Sequence, residues 1–173
     1  MKFKTIEQKI LKSIRAKWLV NLFEWSKIPY KFFCKQHVEV WSADKKSMQQ
    51  MPIGTLGRSV GDFLARKGFE LEPKLESHDI CHVLLDYDTD VVSEIAMQYF
   101  LLASGKKSIY ALGTCLIGFC IIPEYADLYF KAYVSGRDAK DFSQWNFEYL
   151  LQEDIDTLRS LIFSQPNENK LYI

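Results

Sequence analysis

Apolar residues recur at helical spacing along nearly the whole of this chain, and strict alternation is confined to the short stretch Val38-Glu39-Val40-Trp41. A repeat of three to four residues buries one face of a helix, whereas a repeat of two buries one face of a strand. The chain is therefore expected to fold as an all-α helical bundle. An amphipathic helix is predicted over residues 5–24, with Ile6, Ile10, Ile14, Trp18 and Leu22 on a core-facing stripe. Further helices are predicted over 58–67, 77–85, 90–103, 108–122, 123–135 and 147–163. Gly68 and Gly136 read as helix C-terminal caps, and Pro29 and Pro123 as helix boundaries. Residues 42–53 read as a loop or short helix, and 70–76 as an acidic connection broken by Pro73. With 173 residues and no repeat or linker composition, residues 1–173 are expected to form a single domain.

Charge and cysteine usage narrow the function classes. Lysine plus arginine and aspartate plus glutamate balance at 22 each, so no global field favours nucleic acid. The four cysteines, Cys34, Cys81, Cys115 and Cys120, form no CxxC pair and no disulfide-like pattern, as expected in a reducing compartment. The start, Met1-Lys2-Phe3-Lys4-Thr5, lacks the apolar core of a secretory signal. No run reaches the ~18 apolar residues of a membrane span. The run Ile109 to Ile122 is too short to span, and a buried helix is the preferred reading. A cytoplasmic protein is expected. The basic, Trp-bearing first helix also suits a membrane surface, so peripheral attachment at the inner membrane is retained.

Chemistry concentrates in Ser77-His78-Asp79-Ile80-Cys81-His82, which holds two of the three histidines. On a helix His78 and His82 stand about 40° apart and Asp79 about 100° from His78, so the three share one flank. After Leu85 the polar run Asp86-Tyr87-Asp88-Thr89-Asp90 predicts a reversal, with a second helix carrying Glu94 back beside the histidines. Imidazole and carboxylate donors on two antiparallel helices suit a divalent metal, zinc first, with manganese or iron also compatible. The competing local reading is a helix with two chance polar residues, capped by Ser77 or Asp79. Cys81 points away from Asp79 and is read as packing, and the isolated His37 as a non-ligand.

The pattern His78-Asp79-x-x-His82, eleven residues, Glu94 resembles the signature of the fourth coenzyme Q (ubiquinone) biosynthesis protein family. Thr89, Val91-Val92 and Glu94-Ile95-Ala96 extend the resemblance, as do Gly54-Thr55-Leu56-Gly57-Arg58 upstream and Ala132-Tyr133, Gly136-Arg137 and Trp145 downstream. It covers roughly residues 50–163. One position departs: the family has Gly four residues after the second His, and this chain has Asp86. The resemblance implies a metal-dependent enzyme that removes the C1 carboxyl of a prenylated 4-hydroxybenzoate-derived ring oxidatively, with His78, Asp79, His82 and Glu94 as metal ligands and catalytic residues. It also implies a polyprenylated aromatic lipid as substrate, a membrane surface and other quinone-biosynthesis proteins as partners, and is compatible with a homodimer.

Two further classes compete. A non-catalytic isoprenoid-binding or scaffold protein would use the metal only to staple two helices. An HD-type phosphohydrolase shares the His78-Asp79 pair but needs an upstream histidine, for which only His37 is present, and it leaves His82 and Glu94 without a role. A zincin protease fits less well, since its His-Glu-x-x-His needs a glutamate where this chain has Asp79. An apolar cavity running from the metal to the surface, lined by the aromatic helices after residue 108, is expected from the resemblance.

Overall fold

A computed structural model describes residues 13–22, 25 and 40–163. Among these the chain is all-α: there is no strand, and the one extended contact is an isolated antiparallel bridge between Thr55 and Asp154. Helix α1 covers residues 13–22, followed by α2 (Lys45–Gln49), α3 (Leu56–Lys67), α4 (Glu76–Leu85) and α5 (Val91–Ala103). Helix α6 (Ile109–Ile121) leads through a 3₁₀ turn (Pro123–Tyr125) into α7 (Ala126–Asp138), and a second 3₁₀ turn (Phe147–Leu150) precedes α8 (Ile155–Ile162). The tempting alternation at residues 38–41 and His37 lie wholly or mostly outside the described residues.

Capping side chains set most helix starts. Asp44, Thr55, Asp90, Ser108 and Asp154 each accept a hydrogen bond from an amide of the first turn they precede. Helix α4 is the exception: it starts after Leu75 with no side-chain cap, so neither Ser77 nor Asp79 serves as one. Gly68 ends α3 in the left-handed conformation, φ +70°, as its position predicts.

Helix α5 is the core element, burying Ile95, Ala96, Met97, Phe100 and Leu101 between its neighbours. Its tightest crossing is with α7, where Gly136 faces the Phe100 backbone. A methyl group there would stand 2.2 Å from the Phe100 carbonyl oxygen. Gly136 therefore does not cap a helix ending near 135, as its sequence position suggested. It lies inside α7 and lets two backbones meet. At the other end of the fold, the amides of Leu56 and Gly57 donate to the carbonyls of Glu153 and Leu151, both at 2.8 Å. Those bonds fasten the start of α3 to the segment before α8.

Two expectations are corrected. The predicted helix 147–163 is broken, because Asp154 caps a new helix and leaves Leu150 and Leu151 in the preceding turn. The expected core stripe of the first helix is only partly inward within its described part, with Leu22 half-buried. Ile14 and Trp18 are exposed, whereas Leu19 is buried, and Arg15 reaches the Ile121 carbonyl at 2.9 Å and Glu124 at 2.8 Å. Arg15 thus fixes which flank of α1 packs. Among the described residues no single helix is long and apolar enough to cross a membrane. Helix α6 and the segment Pro123–Asp138 pass that test only as a pair bent by 106°.

Replacing Gly136 with Ala should part α5 from α7 at a cost of about 3 kcal/mol. For a chain of this size that corresponds to a melting point lower by about 6–12 °C. A melting curve unchanged from wild type would contradict the close approach.

Candidate metal centre

The reversal between α4 and α5 places the chemistry. Asp86 ends α4 with φ +61° and ψ +40°, the left-handed conformation for which glycine is the unstrained residue. Its aspartate side chain is among the few that visit this region. The turn brings the Tyr87 amide to the His82 carbonyl at 3.0 Å and the Tyr87 carbonyl to His82 Nδ1 at 3.2 Å. A carbonyl only accepts, so Nδ1 carries the proton and donates it. The Nε2 lone pair is left facing the site. Phe63 stacks on the same ring, 6.0 Å between centroids and 17° from parallel.

Three of the four sequence-predicted residues converge. His78 Nε2 and His82 Nε2 are 3.2 Å apart, and Glu94 Oε2 lies 3.4 Å from the first and 3.1 Å from the second. Glu94 is held by its own helix: Gln98, one turn on and buried, donates to Oε1 at 3.0 Å and leaves Oε2 for the histidines. The start of α5, capped by Asp90, adds the positive end of its dipole. His82 is only 4% exposed, while His78 remains 32% exposed and Glu94 20%. The group is thus closed on one side and open on the other.

These residues fit a divalent ion. A tetrahedral ion with bonds of about 2.0–2.1 Å sets its ligand atoms about 3.3 Å apart, and the observed triangle has edges of 3.1, 3.2 and 3.4 Å. Both outer hydrogen bonds, to Tyr87 and from Gln98, are of the kind that orients metal ligands. The group His78, His82 and Glu94 can hold a metal ion.

Asp79 is not one of the three. Its Oδ2 accepts from the Glu72 amide at 3.4 Å, and its carboxyl lines the same cavity. Burial pushes its pKa up, against the opposing pull of His78 and of the Glu72 amide. Cys81 packs in the core, and burial raises its thiol to about 11, so it stays protonated. Glu94 is half-buried, which raises its carboxyl, but the two imidazoles outweigh that cost and hold it well below the usual range. His82 is raised despite burial, chiefly by its bond to Glu94.

The site opens into a cavity of about 780 Å³. Its walls are the end of α3, the 69–75 connection, α4 and α5, closed by Tyr110 and Thr114 of α6 and by Phe142, Trp145 and Phe147. The expected aromatic lining from residues after 108 is therefore only partly present. Tyr125, Tyr129 and Tyr133 do not line it, and Gly118 packs on Ile95 instead. The lining also carries Glu70, Glu72, Lys106 and Ser143, a more polar wall than an apolar channel. One supporting residue had no sequence signal. Arg159 of α8 donates to the carbonyls of Val83 and Leu84 at 2.8 and 3.2 Å, closing the C-terminal end of α4 just before the turn.

Comparison with known proteins agrees with the geometry. The family described as coenzyme Q (ubiquinone) biosynthesis protein Coq4 matches residues 69–166, which contain the whole triad. No curated protein sequence matches the chain. The crystal structure of a candidate ubiquinone biosynthesis protein from Nostoc punctiforme superposes with a TM-score of 0.62 at 18% identity, over 90% of this chain and 82% of the other. At that identity the likeness speaks for the fold alone.

Two outcomes follow. His82→Ala should lower bound zinc after loading at least tenfold by elemental analysis, and equal metal in both proteins would refute the triad. Without metal, the pair contributes fully between about pH 4.5 and 6.5. The depressed Glu94 loses its contribution as pH falls through its lowered pKa, and the raised His82 loses its own as pH climbs through its folded pKa. Metal displaces the histidine proton, so the melting-point gain from zinc should be larger at pH 8 than at pH 6. A gain independent of pH would count against histidine ligation.

Proposed function

The chain belongs to the Coq4 family of coenzyme Q (ubiquinone) biosynthesis proteins, and from that premise we propose that it acts on a polyprenylated 4-hydroxybenzoate-derived ring, removing the C1 carboxyl with oxidation at that carbon. The observation that carries the reading is the triangle of donor atoms on His78, His82 and Glu94 at the wall of a cavity of about 780 Å³. That volume is within the usual range for organic ligands, about 300–1,000 Å³, and suits an aromatic head with the first part of a tail.

The residues divide the work. His78, His82 and Glu94 would hold a divalent ion, with zinc the first choice for two imidazoles and a carboxylate. When bound, the ion supplies Lewis acidity toward the phenol and carboxyl oxygens of the ring. His82 is fixed in one tautomer by Tyr87, and Glu94 in one rotamer by Gln98, so neither donor must reorganise when a ligand arrives. Asp79, outside the triangle but lining the same cavity and with its pKa raised by burial, is assigned the role of proton carrier. Phe63, Leu71, Leu75, Leu101, Phe142 and Phe147 supply apolar surface for the ring and the start of the tail. Each Å² removed from water contributes about 25 cal/mol. In the overall change the bond from C1 to the carboxyl carbon breaks, carbon dioxide leaves, and C1 gains an oxygen. Zinc does not change oxidation state, so dioxygen would be the oxidant: with water supplying the new oxygen, the ring acid, water and dioxygen would give the phenol, carbon dioxide and hydrogen peroxide.

The deciding experiment incubates zinc-loaded protein with a C1-carboxylated prenyl phenol, under air and anaerobically, and follows the ring by mass spectrometry. A net loss of about 28 mass units, the carboxyl being replaced by a hydroxyl, under air only and absent in Glu94→Gln, is expected; a loss of about 44 would mark decarboxylation without oxidation. Binding without loss of the carboxyl would leave a lipid carrier or scaffold in place of the enzyme, and absence of binding would end both readings.

A further inference from the structure

Helix α6 divides its surface in an unusual way. Ala111, Thr114, Cys115 and Gly118 are buried, and Tyr110 and Thr114 line the cavity. The opposite side exposes Ile109, Leu112, Leu116, Ile117 and Phe119, with Ile109 91% and Leu116 59% exposed. In projection these five positions, with Gly113 and the exposed Cys120 between them, fill one arc of about 160°. No residue of Ile109–Ile121 is charged. An uninterrupted apolar face of this kind is rarely left in water.

What surrounds the face indicates what covers it. Lys106 and Lys107 stand immediately before α6, and Lys106 also lines the cavity together with Ser108. At the far end the acidic Glu124 is engaged by Arg15, whose helix α1 exposes Ile14 and Trp18. Apolar side chains with lysines at the edge complement a bilayer carrying anionic headgroups. An exposed Trp on a helix tied to the end of α6 suits the headgroup level. The face and the cavity share one helix, so a molecule leaving the bilayer beside α6 has only the width of that helix to pass.

We propose that the outer face of α6 is the surface on which this protein sits on an anionic phospholipid bilayer, delivering a membrane-dissolved ligand to the cavity on the helix's inner flank. The choice of a bilayer as occupant rests on the prenyl-lipid reading above. It differs from the expectation that the N-terminal helix is the membrane-facing element: here α6 is the principal contact and α1 an accessory one.

The test is flotation of the full-length protein with vesicles of phosphatidylcholine and phosphatidylglycerol at 7:3, with light scattering on the protein alone. Wild type should float. The double variant Leu112→Lys/Leu116→Lys, made at exposed positions, should lose at least tenfold in vesicle partitioning while keeping its zinc content and melting point. Lys106→Gln/Lys107→Gln should weaken binding by about fivefold per lysine and reduce the preference over pure phosphatidylcholine. An environment-sensitive fluorophore on Cys120, in a Cys34→Ser background, should shift to the blue on vesicle addition. Wild type that stays with the soluble fraction, or a Leu112→Lys/Leu116→Lys protein that floats equally, would overturn the proposal. So would a wild-type dimer that this variant dissociates without any vesicle binding, which would assign the face to a second copy. Binding of a short-chain, water-soluble prenyl hydroxybenzoate, measured without vesicles by native mass spectrometry, is the separate arm. If it binds while vesicles do not, only the docking surface fails, and the reverse result fails only the substrate reading.

Discussion

The partial burial of one carboxylate, Glu94, governs the centre of this structure. Glu94 sits on the most enclosed helix of the fold, and a bare carboxylate there would cost several kcal/mol of lost hydration. The chain offsets that cost from four directions: Gln98 donates to one oxygen, His78 and His82 face the other, and the N-terminal end of α5 adds its dipole. Each of these conditions constrains geometry elsewhere. Gln98 must lie one turn along the same helix. The histidines must lie one turn apart on α4. The connection between α4 and α5 must be short and must reverse sharply. A group so arranged is electrostatically balanced as an ion pair, and becomes better balanced if a cation replaces the histidine proton.

Much of this was legible in the sequence, because the decisive relations are local. The i, i+4 spacing of His78 and His82, the turn residues at 86–90 and the position of Glu94 in the first turns of the next helix need no long-range knowledge. Their physics is that of helical geometry and capping. Asp79 shows the limit of that reasoning. Projection places it on the flank shared with the histidines, but projection carries no information about the Glu72 amide, contributed by a loop, that engages its carboxylate. Long-range partners were invisible for the same reason. Arg159 finds the end of α4 from 75 residues away, and nothing in its own helix marks it out. Gly136 was read by its position near a helix end, yet its role is set by Phe100 on another helix.

Asp86 shows how a local departure from a family pattern is absorbed. Glycine at that position takes the left-handed turn without strain, and for an aspartate it costs about 1 kcal/mol at most, since Asp and Asn tolerate the conformation better than other residues. The turn is nevertheless retained, because it is fixed from both sides. Before it, Arg159 binds the carbonyls of Val83 and Leu84; after it, Tyr87 bonds to His82 through both backbone and imidazole. The strain is small against these restraints. The conformation that glycine would permit is here imposed.

The same reasoning explains why α6 can be almost wholly apolar without being a core helix. A buried helix needs apolar neighbours on every side, and among the described residues α6 packs chiefly toward α5, where Gly118 meets Ile95 and Tyr99 reaches the Cys115 carbonyl at 3.2 Å. Its sequence pattern led to a buried helix because hydrophobicity alone does not say whether the apolar partner is protein. An ordinary surface helix turns an apolar stripe to the core and a polar one to water, but α6 has no polar stripe to turn outward. On the docking proposed above, such a helix would meet protein on one side and a bilayer on the other. The cavity lies on the flank between those two sides, at Tyr110 and Thr114. By the same docking, the group His78, His82 and Glu94 would be linked to the bilayer through the thickness of one helix, and a ligand would reach it without crossing open water.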